Sequence, residues 1–213
     1  NMTLDEAVTL MRGNPQTDIT LTVVRKGEIK PLEIKMKRDI IKIQSVFAKT
    51  IENTDLLYLR VSSFDAKVTE DLEKAILANK NIKGYILDLR NNPGGLLSQA
   101  IGAVNLFVDN GIIVSQKGKN PDDEEKFEAS VSKTKTKLPL VVLVNEGSAS
   151  ASEIVSGSLQ DHKRAVIIGE KTFGKGSVQA VLPIENDRSE NIKLTIAKYY
   201  LPSGRTIQAT GVT

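Results

Sequence analysis

The sequence contains no cysteine and a single histidine, His162. Without cysteine, the chain can form neither disulfide bonds nor a thiolate nucleophile, and it cannot bind zinc through cysteine ligands. A single histidine excludes metal sites that are built from several histidines. It also leaves His162 as the one candidate for a histidine general base.

Aromatic residues, charge of one sign and long apolar runs are also scarce. Aromatic residues make up 4% of the chain, and basic residues are interleaved with acidic ones to give a formal net charge of +3. The sequence therefore predicts no nucleic-acid-binding stripe. No apolar run approaches the ~20 residues of a membrane span, and the first residues do not read as a signal peptide, so we expect any targeting segment to lie outside this sequence.

The length of 213 residues and the apolar content of 40% fit one large domain, or one domain with a small companion. Residues 1–37 read as the companion. Thr3 and Glu6 have the spacing of a capping box, and alternating apolar residues predict strands at residues 18–25 and 32–36. A helix and one hairpin bury little surface, so this unit is expected to belong to a larger domain.

The remainder of the chain alternates strand-like and helix-like patterns, which predicts an α/β fold with a parallel or mixed sheet. Residues 117–137 are rich in charged side chains and are predicted to be an exposed excursion. The predicted strands are residues 38–43, 56–61, 85–89, 112–115, 139–144, 165–168, 178–182, 192–199 and 206–209, and the predicted helices are residues 66–79, 96–108 and 151–161.

The serine turn, residues 145–152, follows a β-branched apolar run that predicts a buried strand. Its serines, Ser148, Ser150 and Ser152, alternate with alanines where a helix begins. Several hydrolase folds expose a nucleophile at such a strand-to-helix turn, with the first helical amides pointing back at it. Alternatively, these serines only cap the helix and fill its first turn, as serine often does.

The glycine loop, residues 91–95, follows the predicted strand at residues 85–89. Pro93 followed by Gly94 and Gly95 predicts a tight turn whose amides can face a ligand without an intervening Cβ. The loop is either an anion or oxyanion cradle or a plain connection before a helix. It is not a phosphate-binding P-loop, because the spacing and the terminal Lys-Ser/Thr are missing.

The lysine segment, residues 169–179, places Lys175 between Gly174 and Gly176. If a strand begins here, the two-residue period puts Lys175 and Gln179 on the same face. A lysine amine that is held in an apolar pocket loses its proton more easily and can replace histidine as the base for a serine nucleophile. The alternative is an exposed lysine in a turn.

Together these segments resemble the carboxy-terminal processing peptidases, also called tail-specific proteases. Residues 1–37 resemble the second half of a PDZ domain, the module that precedes the catalytic core in these proteases. The resemblance implies that residues 38–213 form a crotonase/ClpP-like βαβ core with a mixed sheet, preceded by a partial PDZ-like α+β module. It rests on residues 91–95, 145–154, 169–179 and 199–207.

The resemblance also implies roles for individual residues. It assigns cap and packing roles to Ser148 and Ser152. It places His162 at the far end of the helix and does not make it a base. The implied site consists of the nucleophile Ser150, the general base Lys175, its holding partner Gln179, and an oxyanion hole formed by the amide of Ala151 and an amide of the turn Gly94–Gly95.

The activity that the resemblance implies is a serine endopeptidase, without metal or organic cofactor, that cleaves proteins with accessible C-termini. Family members are exported to the bacterial envelope or periplasm or to the plastid lumen, and the resemblance is compatible with the membrane periphery and with a homo-oligomer. Two alternatives are a crotonase-like acyl-CoA enzyme and an inactive PDZ-containing binding protein. The presence of both Ser150 and Lys175 argues against the inactive protein.

Overall fold

A computed structural model describes residues 2–40, 44–120, 122–184 and 187–212. The chain divides into two compact units, and the division falls between Gln44 and Ser45. The boundary expected from the sequence, between residues 37 and 38, lies slightly earlier in the chain. The assignment of the first unit as half of a PDZ domain stays a prediction.

The first unit consists of one helix and one hairpin. Helix α1 (Leu4–Met11) begins with the capping box that the sequence predicts, since the Thr3 side chain accepts from the Glu6 amide and the Glu6 carboxylate accepts from the Thr3 amide. Strands β1 (Asp18–Val23) and β2 (Leu32–Lys37) pair in antiparallel register. The helix and both strands predicted for this region are therefore confirmed.

The strand predicted at residues 38–43 is wrong for residues 38–40, and residues 41–43 lie outside the described part of the chain. The Arg38 guanidinium donates to the carbonyls of Met11 and Leu10 at the end of α1 and to the carbonyl of Asp18. Because its side chain satisfies these backbone groups, Arg38 ends the hairpin instead of starting a new strand.

The second unit is built on a five-stranded mixed sheet, as the α/β prediction requires. Its first strand is an antiparallel edge strand, and the other four are parallel. Parallel strands end at a common edge of the sheet, where open α/β sheets place their sites. In sheet order the strands are β3 (Val46–Thr50), β4 (Leu56–Val61), β5 (Gly84–Asp88), β8 (Leu140–Val144) and β9 (Val166–Gly169).

Three helices connect these strands and contribute to one apolar core with them. In chain order they are α2 (Val68–Ala78), α3 (Leu97–Asn105) and α4 (Ala151–Asp161). The predicted helices at residues 66–79, 96–108 and 151–161 are thus confirmed. Each helix in the described ranges is too short or too polar to cross a membrane.

A second, four-stranded antiparallel sheet joins strands from two parts of the chain. The charged excursion at residues 117–137 is partly ordered into this sheet, because β7 pairs with β6. The strand predicted at residues 206–209 is wrong: only an isolated bridge links Thr206 to Tyr200. In sheet order the strands are β10 (Ser177–Ile184), β11 (Asp187–Tyr200), β6 (Ile112–Lys117) and β7 (Glu124–Glu128).

Candidate active site

The serine turn connects β8 to α4 at the carboxyl edge of the parallel sheet. Ser150, immediately before the helix, has φ of 56° and ψ of −113°. A positive φ is uncommon for a residue with a side chain, and strain of this kind accumulates at functional sites. The Ser150 side chain is only partly buried. The turn thus presents a hydroxyl at the start of a helix, as a nucleophile elbow does.

The other two serines of the turn are fully buried. The Ser148 hydroxyl donates to the Leu89 carbonyl at 2.8 Å, and the Ser152 hydroxyl donates to the Asn92 carbonyl at 2.9 Å. Both hydroxyls therefore bind the serine turn to the neighbouring strand end, in agreement with the structural role expected for them.

The glycine loop approaches Ser150 so closely that a side chain would not fit. Gly94 has φ of +100°, and an added Cβ would lie 2.8 Å from the Ser150 Cβ and 2.9 Å from the Ala151 nitrogen. At Gly95, with φ of +147°, an added Cβ would lie 2.3 Å from the Phe64 carbonyl oxygen. Both glycines are required by backbone conformation and by space.

Two backbone amides beside Ser150 form no hydrogen bond within the described residues. The Gly94 amide donates to the Asn92 side chain at 2.9 Å and is therefore engaged within its own loop. The amides of Gly95 and Ala151 have no acceptor in the described ranges. Among the expected oxyanion-hole residues, the geometry thus favours the amides of Gly95 and Ala151 as donors, while the absence of a side chain at Gly94 lets the loop pack against the serine turn.

Hydrogen bonds between asparagine residues join the glycine loop to the serine turn. The Asn91 amide donates to the Asn145 side-chain oxygen at 2.8 Å, and the Asn145 side-chain nitrogen donates back to the Asn91 side-chain oxygen at 3.0 Å. The buried Asn92 side chain donates to the Val61 carbonyl. Sequence reasoning did not assign these roles, although an asparagine directly after a buried strand was available as a signal.

Lys175 differs from its expected environment. Its side chain is exposed, and no hydrogen bond joins it to the Ser150 hydroxyl in the described part of the chain. Of the two environments that the sequence left open, the structure has the exposed lysine in a turn and not the apolar pocket, because the backbone turns Gly174 and Gly176 inward and leaves Lys175 outward. Gln179 is also exposed, on β10 opposite Thr195.

His162 lies at the far end of α4 from Ser150. The helix has 11 residues, so its length is about 16 Å at 1.5 Å per residue. The His162 ring nitrogen Nε2 donates to the Ile112 carbonyl at 2.8 Å. The expectation that this histidine is not the base at Ser150 agrees with its position.

A buried carboxylate precedes the glycine loop. Asp88, at the end of β5, is fully buried and accepts hydrogen bonds from the Arg90 guanidinium, from the Tyr58 hydroxyl and from Arg60. Burial raises the pKa of Asp88, but the hydrogen bonds from Arg90 and Tyr58 outweigh it and lower the pKa to about 2. Sequence reasoning did not identify this cluster.

Asp88→Asn is expected to destabilise the second unit at neutral pH. Because the folded-state pKa is below the usual 3.8, ionised Asp88 stabilises the fold above about pH 4, and this contribution is lost as the pH falls towards 2. The shift corresponds to about 2 kcal/mol. Urea unfolding of both proteins at pH 7 and pH 2.5 measures this difference.

A matched control for this experiment is Asp55→Asn, which removes an exposed ion pair with Lys83. Exposed pairs contribute little, so this variant should unfold like the wild type at both pH values. A difference between wild type and Asp88→Asn that stayed constant from pH 7 to pH 2.5 would contradict the proposed ionisation.

Comparisons with known proteins place the chain among peptidases. Residues 55–213 match peptidase family S41. The chain is 48% identical, over 99% of its length, to the carboxy-terminal-processing protease of Bartonella bacilliformis, and 39% identical, also over 99%, to the carboxy-terminal processing protease CtpA of Bacillus subtilis. The chain covers 49% and 45% of those two proteins, so it spans about half the length of these curated relatives.

A solved structure supports the same comparison. The photosystem II D1 C-terminal processing protease superposes on the chain with a TM-score of 0.72 and is 29% identical to it. The superposition covers 100% of this chain and 58% of that protein. The similarity therefore extends through both units of the chain.

Proposed function

The chain belongs to peptidase family S41, and we propose that it acts as a serine endopeptidase that cleaves protein substrates near their carboxyl termini. The observation that carries the proposal is the juxtaposition at Ser150. Ser150 has a strained backbone and a partly exposed side chain at a helix start, and it lies beside two amides without acceptors and a glycine loop packed closely against it. Acyl transfer needs a nucleophile and oxyanion donors in this arrangement.

In the proposed reaction, the Ser150 oxygen attacks the carbonyl carbon of the scissile peptide bond. Lys175, in its neutral form, takes the hydroxyl proton, and the amides of Gly95 and Ala151 stabilise the negatively charged carbonyl oxygen. The protonated Lys175 then gives its proton to the leaving amine as the C–N bond breaks. Water, deprotonated by the same amine, hydrolyses the acyl-enzyme and restores the Ser150 hydroxyl.

The dyad requires the Lys175 side chain to turn inward from its exposed position. A lysine has a flexible four-carbon stem, so in the proposed mechanism rotation of the side chain supplies this movement. Gln179, two strand positions beyond Ser177 on β10, is assigned the role of holding the amine, as the family resemblance implies. No metal or organic cofactor takes part in these steps.

From the same resemblance we propose that the substrates are proteins or peptides with accessible C-termini, and that the protein acts after export, in the bacterial cell envelope or periplasm. The two bacterial relatives carry the words carboxy-terminal processing in their names, which supports the substrate class. Fractionation of cells that produce the tagged protein tests the location.

Labelling with a fluorophosphonate probe tests the proposed chemistry. An activated serine forms a covalent phosphonyl adduct, so we expect mass spectrometry of the digested protein to find the adduct on Ser150. Ser148→Ala and Ser152→Ala are matched controls for the position and should remain labelled. A chain that hydrolyses no unstructured peptide and leaves Ser150 unlabelled would refute the peptidase proposal and favour the crotonase-like alternative, which needs no serine nucleophile.

A further inference from the structure

Glu153 is a fully buried carboxylate in the first turn of α4, and none of the site roles derived from the sequence includes it. Its oxygen Oε2 accepts from the amide of Ser150 at 2.8 Å and from the amide of Lys175 at 2.8 Å. Its oxygen Oε1 accepts from the Gly174 amide and from the Thr172 hydroxyl, each at 2.6 Å. One side chain thus joins the backbones of the proposed nucleophile and the proposed base.

These four hydrogen bonds compensate the burial of the charge. An ionised carboxylate has about four acceptor sites, and burying it without partners is strongly unfavourable. Within the described ranges, Glu153 forms no salt bridge, so backbone amides and one hydroxyl satisfy it instead of a cation. Backbone amides have fixed directions, so a carboxylate that is bound in this way fixes the conformation of both segments that donate to it.

The geometry determines where the Lys175 side chain originates. Because the amides of Ser150 and Lys175 donate to the same oxygen, their nitrogens lie within about 6 Å of each other. The stem of Lys175 therefore starts close enough to Ser150 for its amine to reach the hydroxyl after rotation. If the shared acceptor is lost, the turn and the segment can move apart.

We propose that Glu153 is a positioning residue that holds the serine turn and the lysine segment in the register that the catalytic dyad requires. The inference rests on the proposed peptidase function and deepens it. In the described ranges, the Glu153 carboxylate forms no hydrogen bond with the Ser150 hydroxyl or the Lys175 amine; it acts through the backbones of Ser150 and Lys175. Its function is to couple the serine turn, to which it belongs through the Ser150 amide, with a lysine segment whose Lys175 lies 22 residues after Glu153 in the chain.

Thr172 extends this anchor. Its buried hydroxyl donates to Glu153 and accepts from the Val212 amide at 2.7 Å, while its own amide donates to the Val212 carbonyl at 3.1 Å. The carboxylate is therefore held from the side opposite the serine turn. The role of Glu153 can thus be tested through Thr172 without changing the charge.

Glu153→Gln is the primary test. The substitution keeps the size of the side chain but replaces one oxygen with an NH₂ group, which then faces two groups that need an acceptor. We expect kcat on a peptide substrate to fall about 100-fold, with KM within about threefold of wild type, because the dyad is misplaced while the substrate surface is retained. Amide hydrogen exchange at Ser150, Gly174 and Lys175 is expected to accelerate.

Val155→Ala separates positioning from stability. Val155 is fully buried in the same helix and touches the apolar core instead of the carboxylate network. Its truncation should lower the melting temperature while leaving kcat near the wild-type value. Suppose that the two variants had similar melting temperatures and equally reduced kcat. Destabilisation would then explain the loss of activity, and the inference would be overturned.

A second pair of variants covers the case in which Glu153→Gln does not fold. Thr172→Val removes the hydroxyl that donates to Glu153 and should lower kcat about 10-fold. Thr172→Ser keeps this hydroxyl, so its kcat should stay near the wild-type value. If the wild type is active but Glu153→Gln or Thr172→Val turns over substrate at the wild-type rate, the positioning role alone is refuted. The same holds if hydrogen exchange at the amides of Ser150, Gly174 and Lys175 is unchanged in these variants. An inactive wild type refutes the proposed function, and the positioning role with it.

Discussion

Ser150→Ala and Lys175→Ala are each expected to lower kcat/KM by about 10⁴-fold to 10⁶-fold on a peptide substrate, and the double variant should be little worse than either. The two side chains act as one unit in the proposed reaction, since the hydroxyl is a weak nucleophile until the amine removes its proton. Removing either one therefore removes the whole contribution. Neither side chain belongs to the buried core, so thermal unfolding should change little.

Lys175→Arg tests the base more sharply than alanine does. The guanidinium keeps the positive charge and a similar length, but it does not give up its proton in proteins. We therefore expect Lys175→Arg to be as inactive as Lys175→Ala. Wild-type turnover by Lys175→Arg would show that this residue is not the base.

His162→Ala is the control for the identity of the base. The ring lies about one helix length from Ser150 and donates to a backbone carbonyl. The wild-type pH–rate profile should rise with pH, since the base acts in its unprotonated form, and His162→Ala should keep this limb. Loss of the limb in a folded His162→Ala protein would transfer the role to the histidine.

The secondary structure was predictable where the periodicity of the sequence matches burial. Strand β4 alternates buried Leu57, Leu59 and Val61, and α4 has the bounds that were expected from its pattern. The two strands that the sequence did not predict, β3 and β7, both lie at the edge of a sheet. Strand β3 has one buried residue followed by four exposed ones, and β7 is almost entirely charged. Such strands are specified by pairing with a neighbour, and a local pattern does not contain that information.

The type of chemistry at the site could be predicted from the sequence, whereas the hydrogen bonds that hold the site together could not. A serine turn, a glycine loop and a lysine between glycines are local patterns that can be seen in the chain itself. The bonds that assemble them join residues far apart in sequence: Asn91 and Asn145 are 54 residues apart, and Ser152 and Asn92 are 60 apart. The role of Glu153 likewise depends on amides of a segment that folds back onto α4. Single-sequence reasoning does not show which distant amide a buried oxygen will meet.

Gly94→Ala is expected to lower kcat by about 10³-fold, the size of effect that follows loss of an oxyanion donor. The added methyl group would lie 2.8 Å from the Ser150 Cβ, 2.7 Å from the Ala149 carbonyl oxygen and 2.9 Å from the Ala151 nitrogen. Real Cβ atoms do not approach so closely, so the glycine loop must move away from the serine turn. The Gly95 amide would move with it and no longer face the same oxyanion as Ala151.

Gly204→Ala separates this steric effect from backbone strain. Gly204 also has a left-handed φ, +85°, but an added Cβ there meets nothing within 4 Å. Both variants should lose about 1 kcal/mol of stability because alanine disfavours a positive φ, and Gly94→Ala should lose about 1–3 kcal/mol more because of its close contacts. Only Gly94→Ala should lose turnover, and fluorophosphonate labelling of Ser150 should slow in parallel. If Gly94→Ala kept wild-type kcat although it lost more stability than Gly204→Ala, the glycine loop would have no part in the oxyanion site, and the second donor would have to be sought elsewhere around Ser150.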